Sequence, residues 1–442
     1  MFKGNYRWVI CGLLFFATTV NYIDRQILSL VKEFLDVQFG WSKADFGLVN
    51  SLFQLAYGAG LLFFGWFVDR FGVKLGYAVS MVGWSLAAMA HALVQMMPGS
   101  ASVQIGGRVF GAAALAVAAF GLCRVLLGLA EAGNFPAAVK STAQWFPKRE
   151  RAFATSLFNA GTNMGALLAP AVVPLLAIKF GWGMPFIAAG LIGFIWLGFW
   201  IRMYDVPEKH PAVDKGELEH ILSDRENSTA EKLRWIDLLG YRQVWSFIMA
   251  KFLTDPVWWF FLIWLPDYFK TTRNLDIKHS WPLLVTIYGI ITVLSIFGGW
   301  ITGHLARSGW SVTRARKTCM FIFALCVLPI FFVTEVGDWP AVLLIGLAGA
   351  AHQAWSANLY TTVSDMFPKR AVASIIGLGG MAGSMGGFFF PIVTGKMLDH
   401  YRLAGNETAG YSLLFAICAF AYVVAFVIHH FLAPRFESAM KE

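Results

Sequence analysis

The sequence predicts an all-α membrane protein in which about twelve helices cross a bilayer as two six-helix bundles. Three observations lead there. Of 442 residues, 57% are hydrophobic and only 14% charged, a balance that a water-soluble core of this length does not need. Apolar segments of about 20 residues, each long enough to cross roughly 30 Å of hydrocarbon as a helix, recur along the whole chain. The longest polar interruption, Asp205 to Arg242, parts them into two sets. The expected domains are therefore 1–204, a cytoplasmic linker 205–242, and 243–442.

The first half holds spans 8–31, 45–67, 73–96, 109–137, 150–178 and 183–204. Span one is too long for a secretory signal, carries Asn21, Asp24 and Arg25 and lacks a small-residue cleavage site, so it is read as a retained helix. Span four contains Arg124 and Glu131, and span five the small-residue repeat Gly161-x-x-x-Gly165, which favours close helix approach. In the linker, Pro207 and Pro211 block a continuous helix, while Lys215 to Leu222 reads as a short surface helix with solvated charges. The second half holds 243–269, 281–304, 318–335, 339–364, 371–397 and 410–432. Span eleven is glycine-rich from Gly377 to Gly387, without the preceding strand and following Lys-Ser/Thr of a phosphate loop, and is read as a packing and mobility feature. His429-His430, closing span twelve, are expected at the membrane interface.

A net charge of +9 would suggest nucleic acid in a soluble protein. Here Lys and Arg gather in alternate loops, among them Arg70, Lys74, Arg151, the segment 205–242, and Arg314 to Lys317, as the positive-inside rule expects. The bias is topological: it places these loops and both termini, with Lys3, Arg7, Arg435 and Lys441, in the cytoplasm, and no nucleic-acid partner is expected. Cys11, Cys123, Cys319, Cys326 and Cys418 all fall in apolar spans without ligand spacing, which argues for packing rather than disulfides or metal. No cofactor is expected.

Between spans two and three stands Gly65-Trp66-Phe67-Val68-Asp69-Arg70-Phe71-Gly72-Val73-Lys74, with a partial echo after span eight in Gly299-Trp300-Ile301-Thr302-Gly303-His304. The first stretch fits the Gly-x-x-x-Asp-Arg-x-Gly-x-Lys loop of the major facilitator superfamily, which the chain also resembles in segment count and linker position. Gly72 permits a tight return, and the resemblance makes Asp69, Arg70 and Gly72 candidates for gating contacts.

Charges inside a membrane helix cost on the order of 3 kcal/mol each, so those in spans one and four need partners, water or a ligand. Asp24 and Arg25 are adjacent, about 100° apart around a helix, and can face one polar cavity with Arg25 open to a ligand. Arg124 and Glu131 share a face about 10 Å apart along the axis, too far for a direct bond within the helix. That spacing suits an anion-holding arginine beside a separate carboxylate that a proton can neutralise. The bland alternative is a fixed network of ion pairs between helices one and four.

Asn21-Tyr22-Ile23-Asp24-Arg25, together with Arg124-x-x-x-Gly128-x-x-Glu131-Ala-Gly-x-x-Pro136, resembles the anion:cation symporter family. In that family the matching arginines bind the anion and the matching acids couple protons, which implies those roles for Arg25 and Arg124 and for Asp24 and Glu131. Lys251 to Trp259 (KFLTDPVWW) and Gly349 to Ser356 (GAAHQAWS) resemble the hexuronate transporter branch. Asp24 departs from that branch, many of whose members lack an aspartate before the helix-one arginine, and lies closer to the sugar-acid carriers.

A hexuronate offers one carboxylate and several hydroxyls, so its site should join a guanidinium fork to neutral hydrogen-bonding and aromatic groups. Tyr22, Gln54, Tyr57 and Asn159 are the candidates in the first half, and His352, Gln353, Trp355, Ser356 and Asn358 in the second. Lys251 and Asp255, one turn apart, either pair with each other or take a gating role. The expected function is proton-coupled import of galacturonate or glucuronate by a monomer in the bacterial inner membrane. The alternative is another organic anion such as galactonate, glucarate or an aromatic acid. No metal-protease or nucleophile motif points to an enzyme.

Overall fold

The computed structural model describes residues 5–223 and 235–439. Lys3, Lys441 and residues 224–234 of the expected linker lie outside the described residues. The chain groups into two units, one of Met1–Trp41 with Leu52–Ser228 and one of Ser42–Ser51 with Thr229–Glu442.

The first unit contains α1 (Tyr6–Leu30), α2 (Lys32–Phe39), most of α3 (Lys43–Phe71), α4 (Val73–Leu93), a hairpin of β1 (Ser102–Ile105) and β2 (Arg108–Gly111), α5 (Ala112–Glu131), α6 (Asn134–Trp145), α7 (Lys148–Phe180), α8 (Met184–Met203) and α9 (Lys215–Leu222). α1 packs on α7, and α4 on α8 and α5. The α1 to α7 contact depends on glycine: a Cβ at Gly161 would stand 2.5 Å from the Phe15 carbonyl oxygen, and one at Gly165 2.4 Å from that of Thr19. α3 turns into α4 through Gly72 at φ 87°, a left-handed position that glycine takes without strain.

The second unit contains α10 (Trp235–Leu238), α11 (Arg242–Arg273), α12 (Ile277–Arg307), α13 (Val312–Val327), α14 (Asp338–Met366), α15 (Lys369–Leu403) and α16 (Glu407–Leu432), with the first turns of α3. α11 packs on α15, and α13 on α16 and α14, repeating the pairing seen in the first unit. Side-chain caps start several of its helices: Asp276 accepts from His279 N–H, Ser311 from Arg314 N–H and Asn406 from Ala409 N–H.

Large apolar side chains such as Leu62, Trp66, Leu122, Ile195, Phe297 and Phe431 face outward, while Asp24, Arg124, Glu131 and Lys251 are buried. This is the inverse of a water-soluble protein. Among the described residues, eleven stretches are long and apolar enough to cross a membrane. The remaining expected span is α14, a continuous 29-residue helix whose hydropathy is lowered by polar side chains.

Three local expectations need correction. Span four is not one helix: its first residues belong to β2, and its far end breaks at Ala132-Gly133 before α6 begins at Asn134. The hairpin pairs Val103 with Phe110 and turns at Gly106 and Gly107, both at positive φ, the two-glycine connection that matches strand twist. The linker helix α9 forms over the expected residues, but its charges are not all solvated. Glu217 is buried, accepting from the backbone N–H of Arg7 at 3.0 Å, and His220 Nε2 lies 2.8 Å from Glu150 Oε1. His429 is buried rather than interfacial, with Nδ1 2.5 Å from the Ser246 hydroxyl.

Candidate functional site

The charged cluster of the first unit is assembled by three helices and the wall of a fourth. α1 contributes Asp24 and Arg25, α5 contributes Arg124 and Glu131, and α4 contributes Trp84. All five are buried, Asp24 and Glu131 completely. α3 lies against α5 at Gly128, where a Cβ would stand 2.5 Å from the Phe53 carbonyl oxygen. That close approach seats Phe53 and Tyr57, stacked on each other at 5.9 Å, beside the two arginines.

Arg25 Nε donates to Glu131 Oε2 at 2.8 Å. Its guanidinium carbon lies 4.4 Å from the Tyr57 ring centre, 5.2 Å from Tyr22 and 5.3 Å from Phe53, an aromatic cage for a cation. Arg25 is therefore engaged by Glu131 and not open in the manner expected from sequence, and Glu131 is not a separate carboxylate but one half of a pair across helices. Asp24 Oδ2 accepts from Trp84 Nε1–H at 2.6 Å.

Arg124 differs from these. Its guanidinium carbon is 5.7 Å from the Phe53 ring centre, yet Nε and Nη2 find no acceptor among the described residues, at 1% exposure. Asp24 Oδ1 and Glu131 Oε1 likewise have no hydrogen-bond partner there. A buried guanidinium with open donors is a strong recognition point for a carboxylate, which can take two parallel N–H bonds.

The other first-unit candidates divide. Tyr22 and Tyr57 stand on Arg25 as described, and Gln54 is buried with Oε1 unpartnered among the described residues. Asn159 is exposed on α7, and among the described residues no contact ties it to the cluster. In the loop motif, Asp69 pairs with Lys140 at 2.8 Å while Lys140 also donates to the Val68 carbonyl at 2.9 Å. Arg70 is exposed, its guanidinium carbon 5.8 Å from the Phe71 ring centre.

The second unit has its own polar cluster. Lys251 Nζ pairs with Asp255 Oδ2 at 2.6 Å, one turn away on α11, and lies 4.7 Å over the Tyr360 ring. His352 Nδ1 is 2.5 Å from the Tyr422 hydroxyl, and its ring stacks on Trp258 at 5.4 Å. Asn358 donates to Thr302 Oγ1 at 3.1 Å and to the Ala354 carbonyl at 3.0 Å. Trp355 is buried with Nε1 unpartnered among the described residues, and Gln353 and Ser356 are half-buried. Among the described residues, no three His, Cys, Asp or Glu side chains are grouped to hold a metal.

Sequence reasoning missed Trp84 and Phe53. Neither carries a charge or breaks an apolar run, and only the spacing of Phe53 one turn before Tyr57 offered a signal.

A family model described as Major Facilitator Superfamily matches residues 14–391. The chain belongs to the Major Facilitator Superfamily. Like other members of this superfamily it is a multi-pass membrane transporter and not an enzyme. It is 29% identical to the hexuronate transporter of Escherichia coli (strain K12) over 424 residues, covering 93% of this chain and 90% of that one. It is 27% identical to the probable galactarate/D-glucarate transporter GarP of the same strain, over 95% and 94% of the two chains. To the D-galactonate transporter of Escherichia coli O6:H1 it is 27% identical, over 91% of each. Among solved structures, a bacterial homolog of the human lysosomal transporter Spinster superposes with a TM-score of 0.73 at 16% identity, covering 97% of both chains. A D-xylose-proton symporter gives 0.71 at 18% identity, covering 96% and 97%. At those identities the likeness speaks for the superfamily fold alone.

Proposed function

We propose that this protein imports hexuronates such as galacturonate or glucuronate together with protons, by alternating access. The observation that carries the reading is Arg124, a deeply buried guanidinium whose Nε and Nη2 have no acceptor among the described residues. It offers the planar pair of donors that a sugar carboxylate accepts. Glu131 and Asp24, each with one oxygen unpartnered among the described residues, are the groups that take up the coupling protons. Tyr22 and Tyr57 line the same cluster with the aromatic character that a polyol needs, and buried Gln54 is the hydrogen-bonding candidate on α3. The names of the relatives support a sugar acid as cargo.

A second reading, transport of galactonate or glucarate, is favoured by the relatives named for those substrates at nearly the same identity as the hexuronate transporter. The protein works as a monomer in the bacterial inner membrane, with both termini in the cytoplasm, as the loop charges favour.

Uptake of labelled galacturonate into proteoliposomes tests this. With the outside acidic, galacturonate accumulates above its equilibrium level, and unlabelled glucuronate competes better than galactonate or glucarate. Uptake that ignores the imposed pH gradient rules out proton coupling, and stronger competition by galactonate or glucarate reassigns the cargo.

A further inference from the structure

We infer that Trp84 is a positioning residue that keeps Asp24 off Arg124 and thereby leaves that guanidinium open to the transported carboxylate. The inference rests on the reading of Arg124 as the anion-holding group.

Asp24 is fully buried and within electrostatic reach of both Arg124 and Arg25. A carboxylate this fully buried needs donors, because burial removes it from bulk solvent. Arg25 is committed through Nε to Glu131 at 2.8 Å. The donor that reaches Asp24 is neutral: the indole N–H of Trp84, 2.6 Å from Oδ2. That N–H is a donor only and carries no charge, so it satisfies the aspartate without consuming a cation.

The indole is held in place by its helix. Trp84 is 2% exposed and belongs to the apolar core of the first unit with Met81, Ala87 and Ala88 of α4, and α4 packs on both α5 and α8. The two acids of the cluster thus have different partners, one an arginine and one a tryptophan, and the second arginine keeps two nitrogens without an acceptor among the described residues. Without the indole N–H, Arg124 is the charged donor in reach of Asp24 whose nitrogens lack an acceptor among the described residues. A carboxylate already tethered in the protein competes with one arriving from solution, so the site would inhibit itself.

Calorimetric titration of the full-length protein in detergent, with galacturonate, galactonate and glucarate as probes, tests this. The probe that the unaltered protein binds most tightly is carried forward. Trp84→Phe, which keeps an aromatic ring but lacks the donor, should weaken binding about tenfold or more, the scale of a hydrogen bond to a charged group. Asp24→Asn removes the competitor, so Trp84→Phe/Asp24→Asn should bind within about twofold of Asp24→Asn alone, a non-additive pair. A merely structural role for Trp84 predicts instead that the double variant stays as weak as Trp84→Phe or worse, and that result overturns the inference. So does unaltered binding by Trp84→Phe. If Trp84→Phe does not elute as a monodisperse protein, Trp84→Met serves, with the same expected loss and the same relief.

Arg124→Gln separates the two readings. Loss of binding there with none in the Trp84 variants sinks only the role of Trp84. Retention of full affinity in Arg124→Gln, or no binding of any probe by the unaltered protein, sinks the reading of the site itself.

Discussion

Arg25 and Glu131, 106 residues apart in sequence, meet at 2.8 Å in the interior of the first unit. The pair ties α1 to the end of α5, where the helix breaks before α6. In the proposed coupling, protonation of Glu131 removes the charge that holds Arg25. Glu131→Gln fixes the neutral form. It should abolish accumulation driven by a pH gradient while leaving counterflow exchange of labelled for unlabelled substrate. Full concentrative uptake by this variant would remove Glu131 from the coupling.

On the proposed reading, Arg124 sets the affinity for the anion. Arg124→Ala should lower uptake by about a hundredfold, the scale for removing one partner from a buried charge-assisted contact. Arg124→Lys should recover only part of it, because an ammonium is a point charge without the planar fork. Initial rates over a range of substrate concentrations decide this, and equal activity of the lysine and arginine forms would exclude two-point recognition.

The contact of α1 with α7 should tolerate no side chain at Gly165, where a Cβ would meet the Thr19 carbonyl oxygen at 2.4 Å and the Tyr22 Cβ at 2.6 Å. Gly165→Val should cost about 1–3 kcal/mol as an overpacked contact. It also pushes on the helix that carries Asp24 and Arg25. A lower unfolding temperature together with weaker substrate binding is expected, and an unchanged unfolding temperature would show that the helices part easily there.

At the start of α7, ahead of the apolar stretch Phe153–Phe180, Glu150 joins Arg7 at 3.0 Å and His220 at 2.8 Å. Partial burial pushes the Glu150 carboxyl up, but hydrogen bonds from His220 and Arg7 outweigh it and hold it below its ordinary value of 4.5. The stabilisation is therefore complete above about pH 4.5 and drains away as pH falls through the lowered folded value. Unfolding temperatures recorded from neutral to acid pH should fall more steeply at the acid end for the unaltered protein than for Glu150→Gln. Equal slopes would deny Glu150 this role.

Lys251 and Asp255 set a test of pair against site. Either single neutralisation, Lys251→Met or Asp255→Asn, leaves an unmatched buried charge and should cost about 3–5 kcal/mol, whereas the double variant should approach the original stability. If the double variant is stable yet transports nothing, the pair serves transport and not only the packing of α11.

Much of the helical order was legible because each span is long and apolar and because loops concentrate Lys and Arg. The charged residues of spans one and four stood out for the energetic reason that brings them together: a charge inside an apolar helix needs a partner. Their pairing was not legible. The local sequence separates Arg25 from Glu131 by four helices' worth of chain, and only the approach of α3 and α5 at Gly128 and the packing of α1 reveal which acid meets which base. Trp84 was invisible for a different reason, since its one polar atom is hidden in an otherwise apolar side chain. Glu217 misled because a charged, amphipathic linker helix usually faces water, and the backbone N–H of Arg7 gave it a reason not to. The break after Glu131 was hidden because Ala132-Gly133 reads equally well as small-residue packing.

The hairpin of β1 and β2 runs straight into α5, with Gly111 and Ala112 consecutive at the junction. A short tag or a cysteine for a membrane-impermeant label, grafted at the Gly106-Gly107 tip, would sit on a compact post attached to the same helix as Arg124. Such a graft gives a landmark for particle alignment in electron microscopy. In whole cells it reports which face of the bilayer carries that end of α5.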